Sequence, residues 1–209
     1  MLIFYNNFFS ACPDILFDNE QNKGYLLIQK CGTQSLLNLT KTQPHRFSAI
    51  TIDKLCITEV IVFIRDPIER FFSGLETQMN LYQFDATAID KLINRDNFIP
   101  IIDSHTIPQF WFLLRSGLEN NIRFTFKDIS TLHEVDPTIL NLNRNSKNKF
   151  NLTDSTRNKV SHFFTEDIVM YNQFLNTTTT LDVIINAIKQ EKDFISDIEQ
   201  YKKVINYLF

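Results

Sequence analysis

The chain has 209 residues, of which 44% are hydrophobic and 22% are charged, and this composition is ordinary for a folded globular domain. The formal net charge of −3 provides no general basic field, so nucleic acid and acidic membrane surfaces are not expected partners. Any anion-binding site must therefore be built locally. We find no internal repeat and no second domain, and we predict a single domain over residues 1–209.

The cysteines and the N-terminus bear on the cellular compartment. Cys12, Cys31 and Cys56 are an odd number of thiols, at spacings that match neither a zinc cluster nor a disulfide framework. The N-terminal run Met1–Phe9 has no basic start and is too short for a signal peptide or a membrane span. These features predict a cytoplasmic protein with reduced thiols.

Apolar runs alternate with helical periodicity along the chain. The predicted strands, in chain order, are residues 25–29, 48–52, 59–64 and 122–126. The predicted helices are residues 33–41, 67–80, 86–95, 107–117, 155–164, 166–175, 181–190 and 192–207. This alternation predicts an α/β fold with a central, mainly parallel sheet flanked by helices and a helical C-terminus.

The first candidate binding segment follows the first predicted strand. It reads Lys30-Cys31-Gly32-Thr33-Gln34-Ser35. Its glycine lets backbone N–H groups approach an anion closely, its lysine supplies a mobile cation, and Thr33 and Ser35 supply hydroxyls. The alternative is a solvated lysine after a strand, since matches of this length often arise by chance.

The second candidate segment follows the strand predicted at 59–64. Arg65 lies at the strand end, and Ser73 lies about two helical turns further on. Asp66 is predicted to cap the helix, with proline at the first helical position and Glu69 placed to reach back to the Asp66 N–H. The alternative is a surface arginine paired with Asp66 or Glu69, a contact of low energetic value.

Both segments are predicted to lie beyond the carboxyl ends of parallel strands, where ligands bind in open α/β sheets. Together they suit a nucleotide that carries phosphate at both ends of its ribose. Lysine precedes glycine in the first segment, and the chain contains no Walker A motif, which disfavours an ATP-dependent kinase.

The two segments resemble the motifs of the sulfotransferases that use 3'-phosphoadenosine 5'-phosphosulfate (PAPS). Residues 29–36 read Gln-Lys-Cys-Gly-Thr-Gln-Ser-Leu, which is similar to the family's 5'-phosphosulfate loop, Pro-Lys-x-Gly-Thr-Thr-x-Leu. The family's 3'-phosphate motif, Arg-x-Pro-x-x-Arg-x-x-Ser, is matched by Arg65, Pro67, Arg70 and Ser73. Weaker similarity to the carbohydrate (membrane-type) branch continues through residues 103–109, 124–128 and 164–171.

The resemblance implies a P-loop-like three-layer fold and transfer of a sulfuryl group from PAPS to an acceptor hydroxyl, with a carbohydrate as the favoured acceptor and no required metal. It implies that PAPS, or its product 3',5'-ADP, is bound by Lys30, Cys31, Gly32, Thr33, Gln34, Ser35, Arg65 and Ser73. Lys30 is the expected catalytic electrophile. Family members of the Golgi are tethered by a membrane helix, and no such helix is predicted here.

His105 is the candidate general base, because it lies in one of the family-like segments and histidine titrates near neutrality. Asp103 and Glu76 are the substitute bases, and the alternative role of His105 is to cap or pack under the helix that follows it. The basic loop at 141–151 is either a lid over the cofactor or a solvated connector. A nucleotide-dependent kinase and a non-catalytic nucleotide-binding protein remain the alternative functions.

Overall fold

The structure is a computed structural model. It describes residues 15–18, 23–33, 35–36, 57–83, 87, 91, 93–94, 105–116, 118, 122–135 and 153–190. Several predictions lie outside the described residues, namely the strand at 48–52, the helix at 192–207, the loop at 141–151, Gln34 and Asp103. The helices predicted at 33–41 and 86–95 are described only in part.

The described strands form one five-stranded mixed sheet in the order β1-β2-β3-β4-β5. They are β1 (Ile15–Asp18), β2 (Lys23–Leu26), β3 (Glu59–Ile64), β4 (Arg123–Asp128) and β5 (Thr178–Thr180). The middle strands β2, β3 and β4 are parallel, whereas β1 and β5 pair antiparallel with β2 and β4. The predicted α/β class is therefore confirmed, and the parallel character is limited to the middle of the sheet.

Helices flank this sheet. They are α1 (Pro67–Tyr82), α2 (Gln109–Arg115), α3 (Leu132–Val135), α4 (Asp154–Phe163), α5 (Thr165–Phe174) and α6 (Leu181–Gln190). A 3-10 turn at Ile129–Thr131 precedes α3. Within the described part of the chain, no helix has the length and the apolar run that crossing a bilayer requires.

The predictions were most accurate for elements with a strong apolar pattern. The bounds of β3 and α6 are as predicted, and α4 and α5 each begin and end one residue earlier than predicted. The pattern missed β1 and β5, which have four and three residues. Such short strands are specified by pairing with a neighbour, Thr178–Thr180 with Arg123–Thr125 for example, and carry little periodicity of their own.

Both faces of the sheet are covered, which is why β3 reads as an unbroken apolar run. Val60, Val62 and Ile64 belong to a core shared with α2, α5 and α6. The alternate residues Ile61 and Phe63 belong to a second cluster on the opposite face, which includes Leu36 and Leu132. A third cluster joins α1 to α4, and α1 itself begins shortly after the last residue of β3.

Candidate functional site

The two candidate segments leave the sheet at the same edge. Leu26 of β2 and Val62 of β3 are register partners in a parallel pair, so both strands run toward this edge. Lys30 follows Leu26 by four residues, and Arg65 directly follows Ile64, the last residue of β3. The topology therefore brings the two predicted phosphate-binding segments side by side.

The first segment is a tight turn with a left-handed backbone at two positions. Lys30 has φ 68° and Gly32 has φ 82°. A Cβ atom on Gly32 would lie 2.6 Å from the Cδ2 atom of Leu132, so both backbone and packing require glycine there. Lys30 has a Cβ atom, so its positive φ carries a steric penalty. Backbone strain of this kind clusters at functional sites.

Two hydrogen-bond donors of this turn are engaged within it. The Cys31 N–H donates to the carbonyl of Ile28 over 3.0 Å, and the Thr33 hydroxyl donates to the same oxygen over 2.7 Å. The Leu36 N–H donates to the Gly32 carbonyl and begins a helical turn. To donate to a bound anion, as the resemblance implies, the Thr33 hydroxyl must exchange its present bond.

The Lys30 ammonium group lies against α1. It donates to the Thr77 hydroxyl over 2.8 Å, and that hydroxyl donates to the Ser73 carbonyl over 3.1 Å. Burial lowers the pKa of Lys30 from its usual value, the positive charge of Arg65 lowers it further, and Glu76 partly opposes both effects. Sequence reasoning missed Thr77, although its position four residues after Ser73 puts both residues on one helix face.

The Cys31 side chain faces the core rather than the solvent. Its thiol is 1% exposed and donates to the Oε1 atom of Gln109 over 3.1 Å. Burial raises the pKa of this thiol to about 11, so the group stays protonated at neutral pH. Any contact of Cys31 with a ligand therefore involves its backbone.

The second segment begins with the helix cap that the sequence predicts. The Asp66 carboxylate accepts from the Glu69 N–H over 2.9 Å, and Pro67 is the first residue of α1. The Glu69 carboxylate accepts from Nε and Nη2 of Arg65, each over 3.4 Å. The ion pair considered as an alternative is thus present, but the exposed Glu69 makes it weak enough to be exchanged for a phosphate.

Arg70, the second arginine of this segment, is completely buried. Its Nε donates to the Gln29 carbonyl over 2.9 Å, its Nη1 donates to the Ile107 carbonyl, and its guanidinium carbon lies 5.8 Å from the Phe112 ring centroid. This side chain ties the first segment and the loop before α2 to α1. Its position makes it a structural crosslink, a role that the motif alone does not reveal.

Asp167 of α5 caps α2 from a distance of 58 residues in sequence. Its two carboxylate oxygens accept from the N–H groups of Gln109 and Phe110 over 2.6 and 2.8 Å. Burial raises the pKa of Asp167 to about 6, although the Arg70 guanidinium and the two N–H groups oppose this effect. Asp167 lies in a family-like segment, yet nothing in the sequence identifies the helix that it caps.

His105 lies beside α1. The carbonyl oxygen of His105 is 2.5 Å from the position that a Cβ atom on Gly74 would occupy, so the backbone of this loop contacts the helix directly after Ser73. Glu76, a substitute base, acts on the charge of Lys30 from the same helix. The backbone of the candidate base and the Lys30 ammonium group therefore both contact the stretch of α1 from Ser73 to Thr77.

This arrangement suits an anion with more than one negative charge. Lys30 and Arg65 approach closely enough for Arg65 to lower the pKa of Lys30, and an anion between them relieves that repulsion. Each segment also carries a half-buried serine, Ser35 in the first and Ser73 in the second. The residues present thus fit the phosphate groups of a nucleotide.

No protein-family model matches the chain, and no solved structure matches it. A segment of 145 residues is 28% identical to an uncharacterized protein of Acanthamoeba polyphaga mimivirus. The match covers 68% of this chain and 47% of the viral protein, so the chain spans about half the length of that relative. The name of the viral protein states no activity, and the function of the site must come from its own residues.

Proposed function

We propose that the protein is a PAPS-dependent sulfotransferase of P-loop-like fold that transfers a sulfuryl group to an acceptor hydroxyl, with a carbohydrate as the favoured acceptor. The observation that carries this proposal is that the segments bearing Lys30 and Arg65 follow the ends of two neighbouring parallel strands. Half-buried like charges are stabilised when a multiply charged anion binds between them.

The resemblance of the two segments to two different phosphate motifs favours a nucleotide phosphorylated at both ends of its ribose over a single inorganic anion. Lys30 belongs to the segment that resembles the 5'-phosphosulfate loop, and Arg65 and Ser73 belong to the one that resembles the 3'-phosphate motif. Thr77 links the two, because its hydroxyl accepts from Lys30 and donates to the Ser73 carbonyl. Occupation of one phosphate position is thereby connected to the geometry of the other.

PAPS, when bound, supplies the sulfuryl group, and the protein supplies alignment and charge stabilisation. Lys30 stabilises the negative charge that develops on the leaving phosphate oxygen. Its lowered pKa means that its proton is held less firmly than that of an exposed lysine, and a nearby anion restores the affinity for that proton. Arg65 and Ser73 hold the far phosphate and fix the register of the nucleotide.

The acceptor hydroxyl requires a group that takes its proton, and we assign this role to His105. The backbone of His105 contacts α1 at Gly74, close along the helix to Thr77, which is the hydrogen-bond partner of Lys30. Glu76 is the substitute base within the described part of the chain. The acidic limb of the pH–rate profile distinguishes His105 from Glu76, because only substitution of the residue that acts as the base removes that limb.

Calorimetric titration with 3',5'-ADP, 5'-AMP and ATP tests the proposed ligand. We expect 3',5'-ADP to bind at least about tenfold more tightly than 5'-AMP, since a charge-assisted contact to the second phosphate is worth about 1.5–3 kcal/mol. A preference for ATP favours the kinase alternative. No association with 3',5'-ADP at millimolar concentration contradicts the proposal, and binding without sulfate transfer to any hydroxyl favours the non-catalytic alternative.

The catalytic role of Lys30 is tested by Lys30→Ala. Loss of one charge-stabilising contact should lower kcat by about two to three orders of magnitude. Lys23→Ala is the matched control, because Lys23 begins β2 at the opposite edge of the sheet, where it contacts Glu59 over 3.9 Å. A Lys30→Ala protein that transfers sulfate at nearly the wild-type rate rules out this assignment.

A further inference from the structure

We propose that Gln109 is a positioning residue that fixes the two phosphate-binding segments relative to each other. It thereby determines the preference for a 3'-phosphate. The predicted effect on ligand preference rests on the proposed function. The predicted effect of Gln109 on the relative position of the two segments does not. Gln109 is completely buried, and its carboxamide contacts both segments. Nothing in its sequence context other than the family-like stretch at 103–109 singles it out.

The carboxamide of Gln109 pairs with both backbone groups of Arg65. The Arg65 N–H donates to Oε1 over 3.0 Å, and Nε2 donates to the Arg65 carbonyl over 2.9 Å. The ladder between β3 and β4 ends with the pair Ile64 and Asp128, so Arg65 is one residue beyond it. The side chain of Gln109 thus replaces the missing strand neighbour and extends the ordered backbone to the residue that bears the guanidinium.

The same Oε1 atom accepts from the thiol of Cys31 over 3.1 Å. Cys31 lies in the first segment between Lys30 and Gly32, and the raised pKa of the thiol keeps its proton in place for this bond. One oxygen atom therefore receives a donor from each phosphate-binding segment. A displacement of either segment must break or stretch a buried hydrogen bond, which is unfavourable.

The backbone of Gln109 is itself held in place. Its N–H donates to Asp167 over 2.6 Å, so the residue cannot shift without uncapping α2. The buried Gln109 carboxamide, which bonds to both backbone groups of Arg65, therefore fixes the position from which the Arg65 side chain extends. Rigid placement matters because displacement of a binding group by about 1 Å can reduce a rate by about a hundredfold.

Two variants separate positioning from general stability. Gln109→Met keeps the unbranched shape and removes all three side-chain hydrogen bonds, whereas Gln109→Asn keeps the carboxamide on a side chain that is shorter by one methylene and cannot reach Arg65 and Cys31 together. Ser116→Ala is the control, because Ser116 is a buried polar residue at the other end of α2 whose hydroxyl donates to Leu113. All three proteins are compared with the wild type by far-UV circular dichroism.

Amide hydrogen exchange followed by NMR tests the contact without any ligand. We expect the Arg65 amide to be protected in the wild type and in Ser116→Ala, and to exchange about tenfold faster in Gln109→Met, as loss of one hydrogen bond predicts. The amides of β3 should remain protected. An unprotected Arg65 amide in the wild type, or unchanged exchange in a folded Gln109→Met protein, overturns the proposal.

Ligand binding tests the consequence. We expect the ratio of 5'-AMP to 3',5'-ADP dissociation constants to fall about tenfold in Gln109→Met and by less in Gln109→Asn, with Ser116→Ala unchanged. Equal weakening of both ligands overturns the role in 3'-phosphate preference. If Gln109→Met does not fold, a wild-type ratio in Gln109→Asn overturns that role. If the wild type binds neither ligand, the proposed function fails while the exchange measurement still decides the positioning role.

Discussion

The turn at residues 28–36 and the strand–helix junction at residues 64–70 lie at the same edge of the sheet, but they are built differently. The turn places Lys30 with a left-handed backbone and uses the Thr33 hydroxyl internally. The junction has a standard helix cap at Asp66 and a buried crosslink at Arg70. One segment therefore stores backbone strain at Lys30, whereas the other is held by the cap of Asp66 and the hydrogen bonds of Arg70.

The largest effect is expected from removing the crosslink of the junction. Arg70→Ala leaves the carbonyls of Gln29 and Ile107 without their donor and removes a charge that stabilises ionised Asp167, so we expect a loss of about 3–5 kcal/mol in the free energy of unfolding. Urea denaturation measures this change. Arg157→Ala, which removes an exposed arginine of α4, is the control and should change stability by less than about 0.5 kcal/mol.

Arg65→Ala should weaken the binding of 3',5'-ADP. Its loss of stability should be much smaller than that of Arg70→Ala. An Arg70→Ala protein with nearly wild-type stability contradicts the assignment of Arg65 to ligand binding and of Arg70 to structure.

The next effect concerns the pH dependence of the capped helix α2. The pKa of Asp167 is raised to about 6, so between about pH 4 and pH 6 the folded state keeps a proton that the unfolded state has released. The contribution of Asp167 to stability therefore falls as the pH rises through this range and is constant above it. For a shift of about two units, the fall is on the order of 3 kcal/mol.

Denaturation of the wild type and of Asp167→Asn between pH 4 and pH 7 measures this dependence. We expect the stability of the wild type relative to the variant to decrease as the pH increases. Asp182→Asn, which alters an exposed aspartate of α6, is the control for the loss of a carboxylate. A difference that grows with pH would show that the carboxylate is stabilised by its N–H donors more than burial opposes it.

The smallest effect concerns the strained turn. Lys30→Gly should be more stable than Lys30→Ala by about 1 kcal/mol, because glycine adopts a positive φ without the steric penalty of a Cβ atom. The same pair of substitutions at Lys159, within helix α4, should have the opposite sign, since glycine destabilises a helix by about 1 kcal/mol relative to alanine. Urea denaturation measures both pairs, and equal stability of the two Lys30 variants contradicts strain at this residue.

Short sequence patterns identified those parts of the site whose structure depends on residues adjacent in the chain. The Asp66 cap and Pro67 set the start of α1 within three or four residues of chain, so their chemistry was readable directly. The apolar run of β3 and the periodicity of α6 predicted their bounds for the same reason. The short strands β1 and β5 were missed because their pairing partners, rather than their own side chains, specify them.

The sequence by itself determined the α/β class, the cap of α1 and the two segments rich in phosphate-binding residue types, because each of these depends on spacing over a few residues. Only the tertiary structure decided that Lys30 rests on Thr77, that Arg70 is buried, and that Gln109 and Asp167 join segments far apart in the chain. The physical reason is that a buried polar group takes whichever partner the fold brings within reach, and that partner has no fixed distance in sequence.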